Sequence, residues 1–123
     1  GLADSIPIEY ALEKGNDKIV VVLTRNPGYR KKRAVKATEQ LYKRAYKKYP
    51  NLVRTIMTRN AVYNKQMKLI EKLEEEGKIF VIRPLIPTVS RMEKDYDKLQ
   101  HFYMHGNRLM KKEYQGLLEY LNE

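Results

Sequence analysis

The sequence predicts a mixed α/β fold with two mainly parallel strands and about four helices, in the order α-β-α-α-β-α. Two segments, about residues 18–24 and 78–83, each contain a continuous apolar run, Ile19–Leu23 and Ile79–Ile82, that is rich in β-branched residues and typical of strands buried on both faces. The segments around them repeat apolar residues at helical spacing instead. Because two strands make a poor sheet alone, we expect this chain to be part of a larger sheet or to pair with another copy.

The first half of the chain predicts two helices on either side of the first strand. Pro7 suits a first helical turn, where its missing N–H needs no partner, and Gly15 ends that helix. Asp4 and Ser5 are expected to cap it. After the strand, apolar residues recur with helical spacing from about Val35 to Tyr49, which predicts an amphipathic helix.

The second half predicts two longer helices separated by the second strand. Pro50 is expected to end the preceding helix, Asn51 to cap the next one, and Gly77 to close it. Ser90 and Glu93 have the spacing of a capping box at the start of the final helix. A set of tyrosines and methionines at helical spacing is expected to pack in the core: Tyr63, Met67, Tyr103, Met110 and Tyr114.

The amino-acid composition excludes several kinds of functional site. The chain has no cysteine, so disulfides, thiolate nucleophiles and zinc–thiolate sites are excluded. His101 and His105 are one helical turn apart, but Phe102 stands where a zinc protease has Glu, and no third ligand is evident. We therefore expect structural or surface histidines, no metal and no cofactor.

The longest uncharged apolar run of the chain, Ile19–Leu23, is too short to cross a bilayer. A cytoplasmic location is expected, with peripheral contact at the membrane.

Positive charge is concentrated in one stretch, residues 25–48. It contains ten Lys or Arg against one acid, Glu39, a net charge of +9, whereas the whole chain carries +10. Tyrosines interleave with these charges, and the helix within the stretch is amphipathic, as in helices that lie on anionic membranes. The alternative is an ordinary solvated face. The candidate contacts with anionic lipid are Arg30, Lys31, Lys32, Arg33, Lys36, Lys43, Arg44 and Lys47.

The opening residues carry a resemblance to a known family. They run Gly1-Leu-Ala-Asp-Ser-Ile-Pro7 and lead through Gly15 to the strand Ile19–Leu23. This pattern resembles the patatin-like phospholipases, in which a strand ends in Asp-Gly-Gly or Asp-Gly-Ala and a short loop leads to Leu/Ile-Pro at a helix start. The motif remnant is Gly1, Asp4 and Pro7. The resemblance, to a bacterial subgroup, extends over essentially the whole chain through weaker matches such as Tyr49-Pro50, Arg59-Asn60 and Ile82-Arg83-Pro84.

The resemblance implies a parent enzyme that hydrolyses acyl esters of lipids with a Ser-Asp dyad. Its nucleophile lies in Gly-x-Ser-x-Gly, which this sequence lacks, and its aspartate would stand two residues before Gly1. We therefore expect no catalytic residue here and a chain that begins just after the catalytic Asp-Gly. Residues 1–33 would end the catalytic domain of a three-layer patatin-like fold, and 34–123 would be the family's C-terminal region.

Other functions use the same residues. A nucleic-acid-binding module would exploit the basic stretch, but no zinc-finger spacing, basic zipper or RNA-recognition signature is present, so nucleic acid is not the expected partner. A third hypothesis is that the chain is a protein-interaction module. We also expect the isolated chain to form homo-oligomers through its apolar strands.

Overall fold

The computed structural model describes all 123 residues. It is a mixed α/β structure with four helices and two strands, and this confirms the predicted fold class and element order. The elements are α1 (Ile8–Glu13), β1 (Val20–Val22), α2 (Lys36–Ala45), α3 (Pro50–Glu75), β2 (Phe80–Ile82) and α4 (Tyr96–Asn122). No helix combines the length and the apolar character needed to span a membrane.

The two strands form a parallel pair in which Val20 lies opposite Phe80 and Val22 opposite Ile82. The connection between them contains α2 and α3, and parallel strands require a long crossover of this kind. Along β1 the exposure alternates: Val21 is buried, whereas Val22 is 70% exposed. The expectation of two buried faces is therefore wrong for β1 in this chain. A β-branched run reports strand preference, and by itself it does not show that something covers both faces.

The chain divides into two compact units, each with buried apolar residues of its own. The first comprises residues 1–16 and 30–72, and the second residues 17–29 and 73–123. The buried hydrophobic residues of the first unit are Ile8, Val53, Tyr63, Met67 and Ile70, and Gln66 is buried with them. Those of the second are Val21, Leu23, Leu73, Ile79, Ile82 and Tyr120.

The start of α3 differs from the prediction. α2 ends at Ala45, and Pro50 is the first residue of α3 rather than a stop signal for the helix before it. Asn51 consequently lies inside α3 and does not cap it. Proline fits this position because the first helical N–H has no partner within the helix.

The start of α4 also differs. The Asp95 carboxylate caps this helix by accepting the N–H groups of Asp97 and Lys98 at 3.0 and 3.3 Å. The predicted capping box is wrong: Glu93 accepts the N–H groups of Lys94 and Asp95, before the helix begins. Three acids lie close together here, and sequence spacing alone did not show which one occupies the cap position.

The expected core stripe of tyrosines and methionines is only partly buried. Tyr63 and Met67 on α3 are buried, as predicted. On α4 the prediction is wrong, because Tyr103 and Tyr114 are exposed and Met110 is half-buried. Tyr120 is the one buried residue of that helix.

The Tyr120 hydroxyl joins α4 to the residues that precede both strands. It accepts the Ile19 N–H at 3.0 Å and lies 3.0 Å from the Lys78 carbonyl, to which it donates. The ring packs against Phe80 with centroids 5.7 Å apart. One buried side chain therefore provides partners for backbone groups that the short two-stranded ladder leaves unpaired.

We expect Tyr120→Phe to lower the free energy of unfolding by about 1–3 kcal/mol, because it leaves two partly buried backbone groups without their partner. Urea denaturation followed by circular dichroism measures this change. Tyr114→Phe is the matched control, since Tyr114 is 53% exposed and should change stability by less than about 0.5 kcal/mol. Equal effects of the two substitutions would show that the hydroxyl of Tyr120 is not needed.

Candidate functional site

The motif remnant at the N-terminus is placed by α3. The Asp4 carboxylate accepts a hydrogen bond from the side-chain amide of Gln66, which is buried. The Ser5 hydroxyl donates to the Gly1 carbonyl at 3.3 Å. Pro7 precedes α1, and no side chain caps that helix, so the expected cap by Asp4 or Ser5 is wrong. The carboxylate binds a side chain of α3 instead of the backbone of α1.

A polar row on α3 holds residues 30–32, which we name the docked segment. The Asn64 amide pairs with both backbone groups of Lys31: its oxygen accepts the N–H at 2.8 Å, and its nitrogen donates to the carbonyl at 2.9 Å. One turn earlier, the Asn60 amide donates to the Lys32 carbonyl at 2.7 Å. These bonds provide partners for backbone groups that belong to no helix or strand.

The side chains of the docked segment are also engaged by α3. Arg30 forms an ion pair with Glu71, at 2.6 Å between nitrogen and oxygen. The Lys31 ammonium lies over the Tyr63 ring, 4.2 Å from its centroid. Residues 60, 64 and 71 are spaced by four and seven, so they share one face of the helix. Because this face of α3 holds the docked segment, it also sets the position of the basic residues that follow the segment.

α2 presents two different faces. Glu39, Lys43 and Tyr46, at its C-cap, follow one another at helical spacing, and a 2.8 Å ion pair joins the first two. On another face Ala37 and Leu41 lie one turn apart and are exposed, Leu41 by 66%. The helix has no buried residue. The amphipathic pattern was predicted correctly, but its apolar face points to solvent.

A groove of about 800 Å³ lies in the first unit, between the docked segment, α2 and α3. Glu39 is the one acid in its lining, and this carboxylate is paired with a lysine that also lines the groove. The cationic lining residues come from all three parts: Lys31, Arg33, Lys43, Lys47 and Arg54. We name this the basic groove.

About half of the lining contributed by α3 and the end of α2 is apolar. Its apolar lining residues are Tyr46, Pro50, Val53, Met57 and Ala61. The amides of Asn60 and Asn64 lie in the same wall but are engaged by the docked segment. The basic groove therefore combines positive charge with an apolar surface that runs along α3.

The eight predicted lipid contacts fall into residues that line the basic groove and residues that do not. Four of them line the basic groove: Lys31, Arg33, Lys43 and Lys47. Lys32, Lys36 and Arg44 are exposed and do not line it, and Arg30 pairs with Glu71. Sequence reasoning missed Arg54, because it lies outside the basic stretch. Its helical spacing with Pro50, Met57 and Ala61 is the signal that could have revealed it.

The two histidines are used differently from a pair of metal ligands. His105 accepts the Leu85 N–H on its Nε2 at 3.1 Å, and its ring stacks on Phe102 with centroids 6.5 Å apart. His101 is exposed. His105 thus positions the loop between β2 and α4.

A comparison with models of known protein families identifies the family of this chain. Residues 49–122 match the model of a domain of unknown function, DUF6363, and the match covers more than half of the chain. The chain belongs to the DUF6363 family. Comparisons with curated proteins and with solved structures found no similar protein. The matched region contains α3, β2 and α4, whereas the whole basic stretch, residues 25–48, precedes it.

We expect Asn64→Ala to release the docked segment. Losing both hydrogen bonds should raise the hydrogen-exchange rate of the Lys31 backbone N–H about 5–30-fold, which corresponds to a loss of about 1–2 kcal/mol in the free energy that protects it. Exchange measured by NMR provides the test, with Lys68→Ala, an exposed site on α3, as control. An unchanged rate in Asn64→Ala would mean that other contacts hold the segment.

The Glu39 carboxyl should titrate below its ordinary pKa of 4.5, because it accepts a hydrogen bond from Lys43 and lies beside that positive charge. A lowered folded-state pKa means that the pair stabilises α2 above about pH 4.5 and that this contribution is lost as the pH falls through the lowered value. NMR titration of the side chain tests this. Lys43→Gln should return the pKa towards 4.5, whereas Lys48→Gln should leave it lowered.

Proposed function

We propose that this chain is the non-catalytic C-terminal part of a patatin-like lipid acyl hydrolase and that α2 contacts an anionic membrane surface. In this proposal the catalytic serine and aspartate belong to the parent enzyme. The chain supplies scaffold and a basic, lipid-facing surface that keeps the parent near its acyl-ester substrate.

The outward apolar face of α2 is the observation that carries the membrane contact. Ala37, Leu41 and Ala45 recur every four residues, and all three are exposed. Val35 at the N-cap and Tyr49, four residues after the helix, are exposed apolar residues as well. A helix on a protein surface normally turns its apolar face to the core. An apolar face turned to solvent, within a basic stretch, is the arrangement of helices that lie in a membrane interface.

The charge around this face favours anionic lipid. Arg44 follows Leu41 by three residues, so the two are neighbours on the surface of α2. Arg44 is exposed, as is Lys48 after the end of the helix. A lysine or arginine at an anionic surface contributes about 1 kcal/mol, reduced by salt within a Debye length. Several such contacts would hold the helix at a membrane that contains acidic lipid, and neutral lipid would bind it poorly.

The link to an acyl hydrolase is supported by the sequence resemblance, which runs from Gly1 to the final helix. The exposed face of β1 agrees with it. Val20 and Val22 are both exposed, and proteins seldom leave apolar strand residues uncovered in this way. In a three-layer parent, a layer packed on this face of the sheet would cover them.

Vesicle co-sedimentation tests the membrane contact. We expect the chain to bind vesicles of phosphatidylcholine with phosphatidylserine and to leave vesicles of phosphatidylcholine alone in solution. Leu41→Ser should weaken this binding about fivefold or more, because the leucine enters the interface. Leu85→Ser is the matched control, since Leu85 is 60% exposed but lies in the loop between β2 and α4, outside the basic stretch.

Duplex DNA, run beside the vesicles, separates lipid binding from simple charge attraction. Any DNA binding should fall steeply with salt and be unaffected by Leu41→Ser. If Leu41→Ser leaves vesicle binding unchanged, the basic stretch is a general polyanion surface. Absence of binding to both at physiological salt would make it a solvated face, and either result would overturn the membrane proposal.

A further inference from the structure

We propose that the basic groove binds one molecule of a single-chain anionic amphiphile. The phosphate or carboxylate head lies among the cationic side chains, and the acyl chain lies along the apolar wall of α3. This inference rests on the proposed function, since it brings an individual lipid molecule to the same basic stretch. It uses a different face of α2 from the membrane contact.

The charge of the lining selects an anionic head. Five lysines and arginines line the groove against one acid, Glu39, and Lys43 is paired with that acid. Arg33 and Arg54 reach the groove from the chain after the docked segment and from α3. A guanidinium presents a planar fork of donors that matches both carboxylate and phosphate. A neutral or cationic head would leave this positive charge unbalanced.

The size and apolar wall of the groove favour a ligand that is more than an ion. A volume of about 800 Å³ falls within the roughly 300–1,000 Å³ of small-molecule pockets, far more than a phosphate ion fills. Val53, which is 6% exposed, lines the groove, and Met57 follows it one turn later. Met57 is flexible and can adapt to an acyl chain.

The two lipid contacts can be separated by mutation. Glu39, Lys43 and Tyr46 line the groove, whereas Leu41 lies on the outward face of α2 and does not line it. A change at Leu41 should therefore alter vesicle binding and leave groove binding intact. Changes in the groove should have the opposite effect.

Isothermal titration calorimetry with monomeric lipid, below its micelle concentration, tests the proposal. The probes are lysophosphatidate and palmitate, with lysophosphatidylcholine and inorganic phosphate as comparisons. We expect one molecule to bind per chain, with at least one anionic amphiphile binding about tenfold or more tightly than lysophosphatidylcholine and than inorganic phosphate. The tighter of lysophosphatidate and palmitate identifies the head group. Lysophosphatidylcholine binding equally well, or phosphate binding as tightly as the lipids, would overturn the proposal.

A matched pair of double variants tests the cationic lining. Arg33→Gln/Lys47→Gln removes one arginine and one lysine that line the groove, and Arg44→Gln/Lys48→Gln removes one of each that do not. Both lower the net charge equally. Only the first should weaken binding of the amphiphile, by about tenfold. Equal losses would mean that general charge attracts the lipid, which overturns the proposed site.

A second matched pair tests the apolar wall without disturbing the core. Ala61 lines the groove and is exposed, so Ala61→Phe should fill the groove and reduce binding about tenfold. Val62→Phe adds bulk at the neighbouring exposed position, which does not line the groove, and should leave binding unchanged. Circular dichroism verifies that both variants are folded. Unaltered binding in folded Ala61→Phe would overturn the proposal even if vesicle binding persists.

Discussion

The pairing of Asn64 with the backbone of Lys31 is the constraint on which the candidate site depends. Through two hydrogen bonds, at 2.8 and 2.9 Å, the Asn64 side chain pairs with the backbone of Lys31 as a neighbouring strand would, although the docked segment belongs to no strand. Asn60 continues the row at Lys32. A chain held this way has few positions available to it, so the lysine and arginine that follow reach the groove from a fixed place. α2 begins only four residues after the docked segment, and its position depends on the same anchor.

Holding so much positive charge together opposes folding, because like charges repel. The structure offsets part of the repulsion with internal partners: Glu71 for Arg30, the Tyr63 ring for Lys31, and Glu39 for Lys43. These partners are too few for a stretch of net charge +9. An incoming anion would therefore gain more here than at an ordinary surface, where acids and bases are mixed. Stability alone does not favour such a concentration, and this is the physical reason for assigning it a ligand.

Sequence periodicity predicted the kinds of element well and their surroundings less well. β-branched runs and helical spacing located both strands and all four helices, because these signals arise from the residues themselves. The capping of α4 by Asp95 instead of Ser90 depended on which of several close polar residues takes the cap geometry. The exposure of Val22 depends on what lies above it, which its own sequence does not encode. Arg54 joins the groove only because α3 packs beside the docked segment, so no local pattern in the basic stretch contains it.

The orientation of α2 links the two lipid contacts. Its apolar period predicts an apolar face but does not say whether that face meets the core or the solvent. With Glu39, Lys43 and Tyr46 turned to the groove, Leu41 has to point away from it, because the residues lie on different sides of the helical surface. Half a turn of rotation would turn Glu39, Lys43 and Tyr46 away from the groove and hide the outward leucine. One rotational setting of a ten-residue helix therefore creates both a cationic groove and an apolar outer face, and residues on each can be changed without touching the other.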